Sequence, residues 1–463
     1  MTRVVIIGGG PGGYESALVA AQLGAEVVVV DSDGIGGSAV LTDCVPSKTL
    51  IATAELMTDF GTAPELGIGL ADPDAEAARV VVDLARVNAR VLRLAAEQSG
   101  DIGRRLERDG VRLVRGRGHL DGPERVVVAL AEGGSETIEA DAVLVATGAA
   151  PRTLPSAVPD GERILTWEQV YDLTETPEKL IVVGSGVTGA EFASAYMALG
   201  IEVVLVSSRD RVLPGEDADA AEVLEQVLTR RGMTVLNKSR MESVTRDGDV
   251  VTVTLTDGRS VTGSHCLLAL GSVPNTAGIG LESAGVTLDE AGFIAVDRVS
   301  RTSARGVYAA GDCTGVLMLA SVAAMQGRIA MWHFLGDAVS PLDLKKVASN
   351  VFTAPEIATV GWSQESVDSG EMVAEAVMLP LAGNPRAKMQ GVRDGFVKLF
   401  CRPGTGIVVG GVVVGPRASE LIHPISLAVA ESLTADQVAN AFTVYPSNSG
   451  SVAEAARRLH HPR

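Results

Sequence analysis

The sequence predicts an α/β protein built around two doubly wound, Rossmann-like dinucleotide-binding units. Three observations lead there: a glycine loop of the form GxGxxG beginning at Gly8, a second beginning at Gly184, and a length of 463 residues. A chain of that length exceeds what one hydrophobic core fills and should hold about three domains.

The first unit opens on Val4-Val5-Ile6-Ile7, a wholly apolar run of the kind expected of a parallel strand buried on both faces. It leads into Gly8-Gly9-Gly10-Pro11-Gly12-Gly13, in which Gly8, Gly10 and Gly13 satisfy the loop pattern. Residues 14–23 suit a helix, and the apolar run 27–30 ends on Asp31. Glycines here permit a tight turn and close approach of backbone to a pyrophosphate at the helix N-terminus, and an acid about 20 residues on is placed for ribose hydroxyls.

The second unit repeats the pattern. Residues 180–183 form its strand, Gly184-Ser185-Gly186-Val187-Thr188-Gly189 its loop, and residues 203–206 its next strand. Gly8 and Asp31, like Gly184 and Ser207, lie 23 residues apart. Two such units imply two dinucleotides, and chemistry that passes electrons between two cofactors needs both. Ser207, followed by Ser208 and Arg209, stands where an NAD-preferring site carries an acid. A 2′-phosphate is then not repelled, and Arg209 or Arg211 can bind it. NADPH is expected as a substrate alongside NADH, with NADPH preferred; the competing reading is a solvated arginine in a surface loop.

With 39 basic and 57 acidic residues the net charge is -18, which argues against a nucleic-acid partner. The four cysteines, Cys44, Cys266, Cys313 and Cys401, form no CxxC pair, so neither a disulfide framework nor a metal site is expected and a reducing compartment is. Glycines from Gly8 onward interrupt any signal-peptide core, and no apolar stretch reaches the 18 or so residues of a membrane span. A cytoplasmic location without stable membrane insertion follows as the expectation.

The segment Gly36-Gly37-Ser38-Ala39-Val40-Leu41-Thr42-Asp43-Cys44-Val45-Pro46-Ser47-Lys48 resembles the redox-disulfide segment of the FAD-dependent pyridine nucleotide-disulfide oxidoreductases, the family of dihydrolipoamide dehydrogenase and glutathione reductase. Further segments extend the resemblance over nearly the whole chain. Val143-Leu144-Val145-Ala146-Thr147-Gly148 resembles the crossing out of the flavin domain, and Ala269-Leu270-Gly271-Ser272-Val273-Pro274-Asn275 the return, with Ser272 in place of the usual arginine. Gly306-Val307-Tyr308-Ala309-Ala310-Gly311-Asp312 resembles the second flavin motif, whose acid holds the ribityl chain and pyrophosphate, and Met318-Leu319-Ala320-Ser321 the start of a helix beside the flavin pyrimidine. Gly118 matches a backbone position near adenine. Residues 351–361 and 418–422 resemble the interface domain.

The resemblance implies FAD-binding over 1–150 and 275–342, an NAD(P)-binding domain over 151–274, a C-terminal α+β dimerisation domain over 343–463, and a homodimer. It places Gly8, Gly10, Pro11, Gly12, Gly13, Asp31, Gly37, Ser38, Cys44, Lys48, Gly118, Ala146, Thr147, Gly148, Asp312, Met318, Leu319, Ala320 and Ser321 at FAD. It places Gly184, Ser185, Gly186, Val187, Thr188, Gly189, Glu191, Ser207, Ser208, Arg209 and Gly271 at the nicotinamide nucleotide. Lys48 corresponds to the lysine near flavin N5 and Glu191 to its ion-pair partner.

Three family residues are missing. The first cysteine of the redox pair is Ala39; the acid-base histidine near the C-terminus is Tyr445; its supporting glutamate is Gly450. None of the six histidines, His119, His265, His333, His423, His460 and His461, stands at the vacated position. Dithiol exchange runs through attack by one thiolate and resolution by a second, so one sulfur cannot complete it. Hydride transfer from a nicotinamide to FAD keeps its residues. The expected enzyme is an NAD(P)H dehydrogenase (quinone) of the branch lacking the redox disulfide, with no disulfide reductase activity and with Tyr445 either a hydrogen-bond donor to a quinone carbonyl or a packing replacement at the dimer seam. The alternatives are a single-cysteine peroxide or mixed-disulfide reductase acting through Cys44, and a catalytically quiet FAD- and nucleotide-binding scaffold.

Overall fold

The computed structural model describes residues 1–68 and 80–460; His461 lies outside them. It divides into two units, Met1–Thr49 with Asn88–Arg152 and Gly271–Asp343, and Leu50–Val87 with Thr153–Leu270 and Leu344–Arg463.

The first unit is organised by a seven-stranded sheet in the order Val307–Ala309, Ala142–Val145, Arg3–Ile7, Glu26–Asp31, Arg112–Leu120, Arg125–Leu130, Ser135–Glu139. The first five strands run parallel, with Val4 beside Val27 and Val5 beside Val143, and the last two return antiparallel. The strand Arg3–Ile7 is apolar from Val4 onward because alternate side chains enter different cores. Val5 and Ile7 join Val28 and Val30 on one face, while Val4 and Ile6 join Val27 and Val29 on the other. The helix Pro11–Gln22 covers the latter face and packs against the helix Ala320–Leu335. A methyl on Gly327 would lie 2.3 Å from the Gly12 carbonyl oxygen, so the two helices approach at backbone distance. Arg328 and Glu15 close the pair with a 2.7 Å ion pair.

In the second unit a parallel sheet runs in the order Thr234–Leu236, Glu202–Val206, Lys179–Val183, His265–Leu268, Ile164–Leu165. A three-stranded antiparallel sheet, Met241–Asp247, Val250–Leu255 and Ser260–Gly263, belongs to the same segment. The remainder is an antiparallel five-stranded sheet, Ala348–Val351, Glu356–Gly361, Val408–Gly415, Phe396–Cys401, Glu375–Pro380. C-terminal helices close over it through Ile425, Ala428, Val452 and Ala455, giving the expected α+β segment. The fold class read from the sequence is the one observed.

The parallel-sheet segment and the C-terminal segment are tied by an ion cluster around the buried Lys398 and Asp217. Lys398, its side chain 3% exposed, donates to both oxygens of Asp217 at 2.8 and 2.9 Å and to Asp219 at 2.6 Å. Asp217 also caps the helix Ala218–Arg230 by accepting from the Asp219 and Ala220 amides. Removing one member strands a buried charge. Lys398→Ala is therefore expected to lower unfolding stability by about 3–5 kcal/mol, read as a fall in the denaturant midpoint. No helix among the described residues is long and apolar enough to cross a membrane.

Candidate functional site

The residues expected at FAD gather at the carboxyl ends of neighbouring parallel strands in the first unit. Gly8 follows Arg3–Ile7, Asp31 ends Glu26–Asp31, Gly118 lies in Arg112–Leu120, Ala146, Thr147 and Gly148 follow Ala142–Val145, and Asp312 comes shortly after Val307–Ala309. This is where open α/β sheets bind ligands. Gly8 has φ +107, and a methyl on it would sit 2.2 Å from the Ala146 carbonyl oxygen. One on Gly13 would lie 1.9 Å from the Gly8 oxygen. The helix begins at Pro11, whose missing N–H costs nothing at the first turn. Gly10 caps it without a side-chain bond, which leaves the helix N-terminus open to an anion. Gly37, at φ +57, faces Gly10 so closely that a methyl on it would meet the Gly10 Cα at 2.8 Å. Bare backbone on both sides of an uncapped helix start fits the pyrophosphate of a dinucleotide such as FAD.

Asp31 accepts from the Gly9 amide at 2.6 Å, from Gly34 at 2.5 Å and from Asp33 at 2.9 Å. It thus shapes the loop itself. The Gly36 amide donates to the Gly9 carbonyl at 2.8 Å and fastens the segment that follows. That segment holds two helices, Gly37–Leu41 and Cys44–Thr62. Ser38 and Ala39 lie on the first; Cys44, half-buried and not in a disulfide, begins the second, with Lys48 one turn on.

Asp312 is half-buried, and its partial desolvation together with the neighbouring Asp43 carboxylate pushes it up to about 6. Gln326, which sequence reading passed over, accepts from the Gly311 amide at 2.9 Å and sets the turn that presents Asp312. Met318 and Leu319 precede the helix Ala320–Leu335, whose start also lacks a side-chain cap; Ser321 lies in its first turn. Folded Asp312 keeps its proton at pH values where the unfolded chain, near pKa 3.9, releases it. Its contribution to stability is therefore present below about pH 4 and lost as pH rises through about 6. In flavin-free protein the stability of wild type relative to Asp312→Asn is expected to fall by about 3 kcal/mol between pH 4 and pH 7, measured by denaturant titration.

The second unit repeats the glycine construction. Gly184 has φ +113, and a methyl on it would sit 2.1 Å from the Ala269 carbonyl oxygen; one on Gly189 would sit 1.8 Å from the Gly184 oxygen. Gly186 caps the helix Val187–Ala198 with no side-chain bond, and Thr188 lies in its first turn. Glu191, on the same helix, is buried and accepts from the Phe352 amide at 2.8 Å. Ser207 is buried with its hydroxyl 2.7 Å from that of Ser185, so the residue in the acid's place closes the loop inward. Ser208 and Arg209 are exposed beside it. Arg211 is half-buried, with Nε lacking a hydrogen-bond partner among the described residues. Gly271, in the first unit, has φ +84 and accepts from the Arg152 amide at 2.9 Å.

Tyr445 lies in a segment where Phe442, Val444 and Tyr445 are all strongly exposed, Tyr445 at 82%. Gly450 begins the helix Gly450–Arg458. The described histidines lie elsewhere: His333 bonds the Tyr308 hydroxyl at 2.9 Å, His460 bonds Asp436 at 2.7 Å, His119 and His265 are on strands, and His423 begins the helix His423–Ala430. No group of His, Cys, Asp or Glu among the described residues is arranged to hold a metal ion.

Residues 2–327 match the family model described as pyridine nucleotide-disulphide oxidoreductase, and residues 347–456 match that family's dimerisation domain. A Mycobacterium tuberculosis protein named NAD(P)H dehydrogenase (quinone) is 56% identical over 468 residues, covering 99% of this chain and 94% of the relative. Dihydrolipoyl dehydrogenase of Zymomonas mobilis is 32% identical over 456 residues, covering 97% of this chain and 96% of its own length. The crystal structure of LpdA from M. tuberculosis has a TM-score of 0.95 at 56% identity, covering all of both chains. The flavoprotein disulfide reductase RclA of Escherichia coli has a TM-score of 0.86 at 23% identity over 98% of this chain and 99% of its own, a likeness of fold.

Proposed function

Because this chain belongs to the pyridine nucleotide-disulphide oxidoreductase family, we propose that it is an FAD-dependent NAD(P)H:quinone oxidoreductase with no disulfide reductase activity. One observation carries the reading beyond the family. The segment from Gly36 to Lys48 has Ala39 where the first sulfur belongs, on a chain whose two nucleotide loops are intact. The 56% identical relative named NAD(P)H dehydrogenase (quinone) supports the same acceptor.

We assign 1–150 with 275–342 to FAD, 151–274 to the nicotinamide nucleotide and 343–463 to dimerisation. FAD, when bound, accepts a hydride from the nicotinamide and passes two electrons to the acceptor. The chain's own part is to hold and orient. The Gly8 and Gly184 loops seat the two pyrophosphates at uncapped helix starts; Lys48 stands on the flavin side and Glu191 on the nicotinamide side. Ser207 without a carboxylate, and exposed Ser208 and Arg209, favour NADPH over NADH. The dimerisation domain supports a homodimer, in which the exposed segment 442–445 of each chain is available to complete an acceptor site. Tyr445 then donates its phenolic hydrogen to a quinone carbonyl. Four cysteines outside any disulfide suit the cytoplasm.

Both substrates exchange electrons at one flavin, so initial rates with NADPH and a soluble quinone varied together should give parallel double-reciprocal lines; converging lines contradict the scheme. Tyr445→Phe is expected to raise the KM for quinone about three- to tenfold, the worth of one neutral hydrogen bond, with flavin reduction by NADPH unaffected. An unchanged quinone KM removes Tyr445 from the site.

A further inference from the structure

The loop after Glu202–Val206 does not stand alone. Thr234–Leu236 runs parallel to that strand with Val206 beside Leu236, so the turns following both strands share the carboxyl edge of the sheet. They are bonded to each other. The Ser207 amide donates to the Leu236 carbonyl at 2.9 Å, the Ser239 amide to Ser207 at 2.7 Å, and the Lys238 amide to the Arg209 carbonyl at 2.6 Å. Glu225 ties them from below, its two oxygens accepting from the Val212 amide at 3.0 Å and the Asn237 side-chain amide at 2.6 Å.

The paired turns carry strain and unmet polar groups. Lys238 has φ 52 and Leu213 φ 50, a left-handed conformation unfavourable for either residue. Arg211 Nε and Asn237 Oδ1 are buried without partners among the described residues. Such features collect where a ligand is clamped. The charges at this rim run against those of the chain as a whole. Arg209, Lys238 and Arg240 are exposed on a protein of net charge -18, and Arg209 and Lys238 have no ion pair among the described residues. Asp210 is exposed between Arg209 and Arg211, and Asp257 nearby is neutralised by Arg259, which also donates to the Ser239 hydroxyl at 2.8 Å.

We propose that Lys238 is a specificity-determining residue for the nucleotide substrate, completing with Ser208 and Arg209 an anion seat for the ribose 2′-phosphate of NADPH. This rests on the reading that the second unit binds a nicotinamide nucleotide. The backbone bond from Lys238 to Arg209 brings together two cations 29 residues apart in sequence, on the turn where an NAD-preferring site carries an acid. A dianion there gains both charges, whereas the bare 2′-hydroxyl of NADH gains neither.

The test is calorimetric titration of the FAD-loaded enzyme with 2′,5′-ADP and with 5′-AMP, in wild type, Lys238→Gln and Lys238→Arg. Wild type should bind 2′,5′-ADP more tightly than 5′-AMP. Lys238→Gln should bind 2′,5′-ADP about tenfold more weakly, with the loss confined to the 2′-phosphorylated ligand, and its KM for NADPH should rise correspondingly while kcat is kept. Lys238→Arg, which keeps the charge, should retain most of the affinity. Unchanged 2′,5′-ADP affinity in Lys238→Gln overturns the assignment of Lys238 alone. Equal binding of the two nucleotides by wild type overturns the anion seat, and binding of neither overturns the nucleotide site on which it rests.

Discussion

Gly189→Val should abolish flavin reduction by NADPH while leaving FAD in place. A Cβ at residue 189 falls 1.8 Å from the Gly184 carbonyl oxygen, 2.9 Å from its carbon and 3.3 Å from the Ala269 Cβ. Two of these neighbours are backbone and the third is a Cβ, so none can swing away as a long side chain does. The start of the helix Val187–Ala198 has to move outward, carrying with it the amides proposed to hold the pyrophosphate. A displacement of about 1 Å at a positioning element costs on the order of a hundredfold, and the valine methyls enlarge it. We expect kcat/KM for NADPH to fall by at least about a hundredfold, with the flavin absorbance spectrum retained because Gly189 belongs to the second unit. Gly13→Val, whose Cβ meets the Gly8 oxygen at 1.9 Å, should instead lose the flavin. A Gly189→Val enzyme reduced within threefold of the wild-type rate contradicts the assignment of the second loop.

Lipoamide should fail as an acceptor, at a rate at least about a thousandfold below that of a quinone, and Ala39→Cys should not restore it. A cysteine at 39 supplies the missing sulfur within the short helix Gly37–Leu41, close in sequence to Cys44. It does not supply a base. General acid–base catalysis is worth about 10²–10⁴-fold, and the Tyr445 phenol is a poor substitute for imidazole near neutral pH. Gly450 has no side chain to orient an imidazole even if one were installed at 445. NADPH-dependent lipoamide reduction by Ala39→Cys should therefore stay below about one percent of quinone turnover. Substantial lipoamide turnover by that single variant contradicts the view that the whole thiol half-reaction has been dismantled.

Both glycine loops were legible in the sequence because their requirement is steric and local: Gly8, Gly13, Gly184 and Gly189 sit where a methyl meets a carbonyl oxygen at 2.2 Å or less. The strands between them were legible because both faces are covered, which makes their sequence continuously apolar. Helix boundaries were less so; the first begins at Pro11 rather than residue 14, since proline at the opening turn sacrifices no intrahelical bond. What depends on side-chain direction or on strand order was hidden. Nothing in the one-dimensional pattern shows that Ser207 turns inward to Ser185, that Asp43 stands beside Asp312, or that Gln326 sets the Asp312 turn. Lys398 carries no sequence signal of its partners, Asp217 and Asp219, which come from a distant segment. Lys238 carries no motif at all; its place beside Arg209 follows only from the pairing of Thr234–Leu236 with Glu202–Val206.

On the proposed function the chain keeps the nicotinamide-to-flavin half of the family's reaction and takes a quinone in place of a disulfide as acceptor. Sequential-mixing stopped flow tests it most directly: the FAD-loaded protein is reduced anaerobically by one equivalent of NADPH, then mixed with a quinone, with hydrogen peroxide or with lipoamide while flavin absorbance is followed. Rapid reduction by NADPH and rapid reoxidation by the quinone alone are expected. Reoxidation by lipoamide or peroxide at a rate matching the quinone, or failure of NADPH to reduce the flavin, contradicts it.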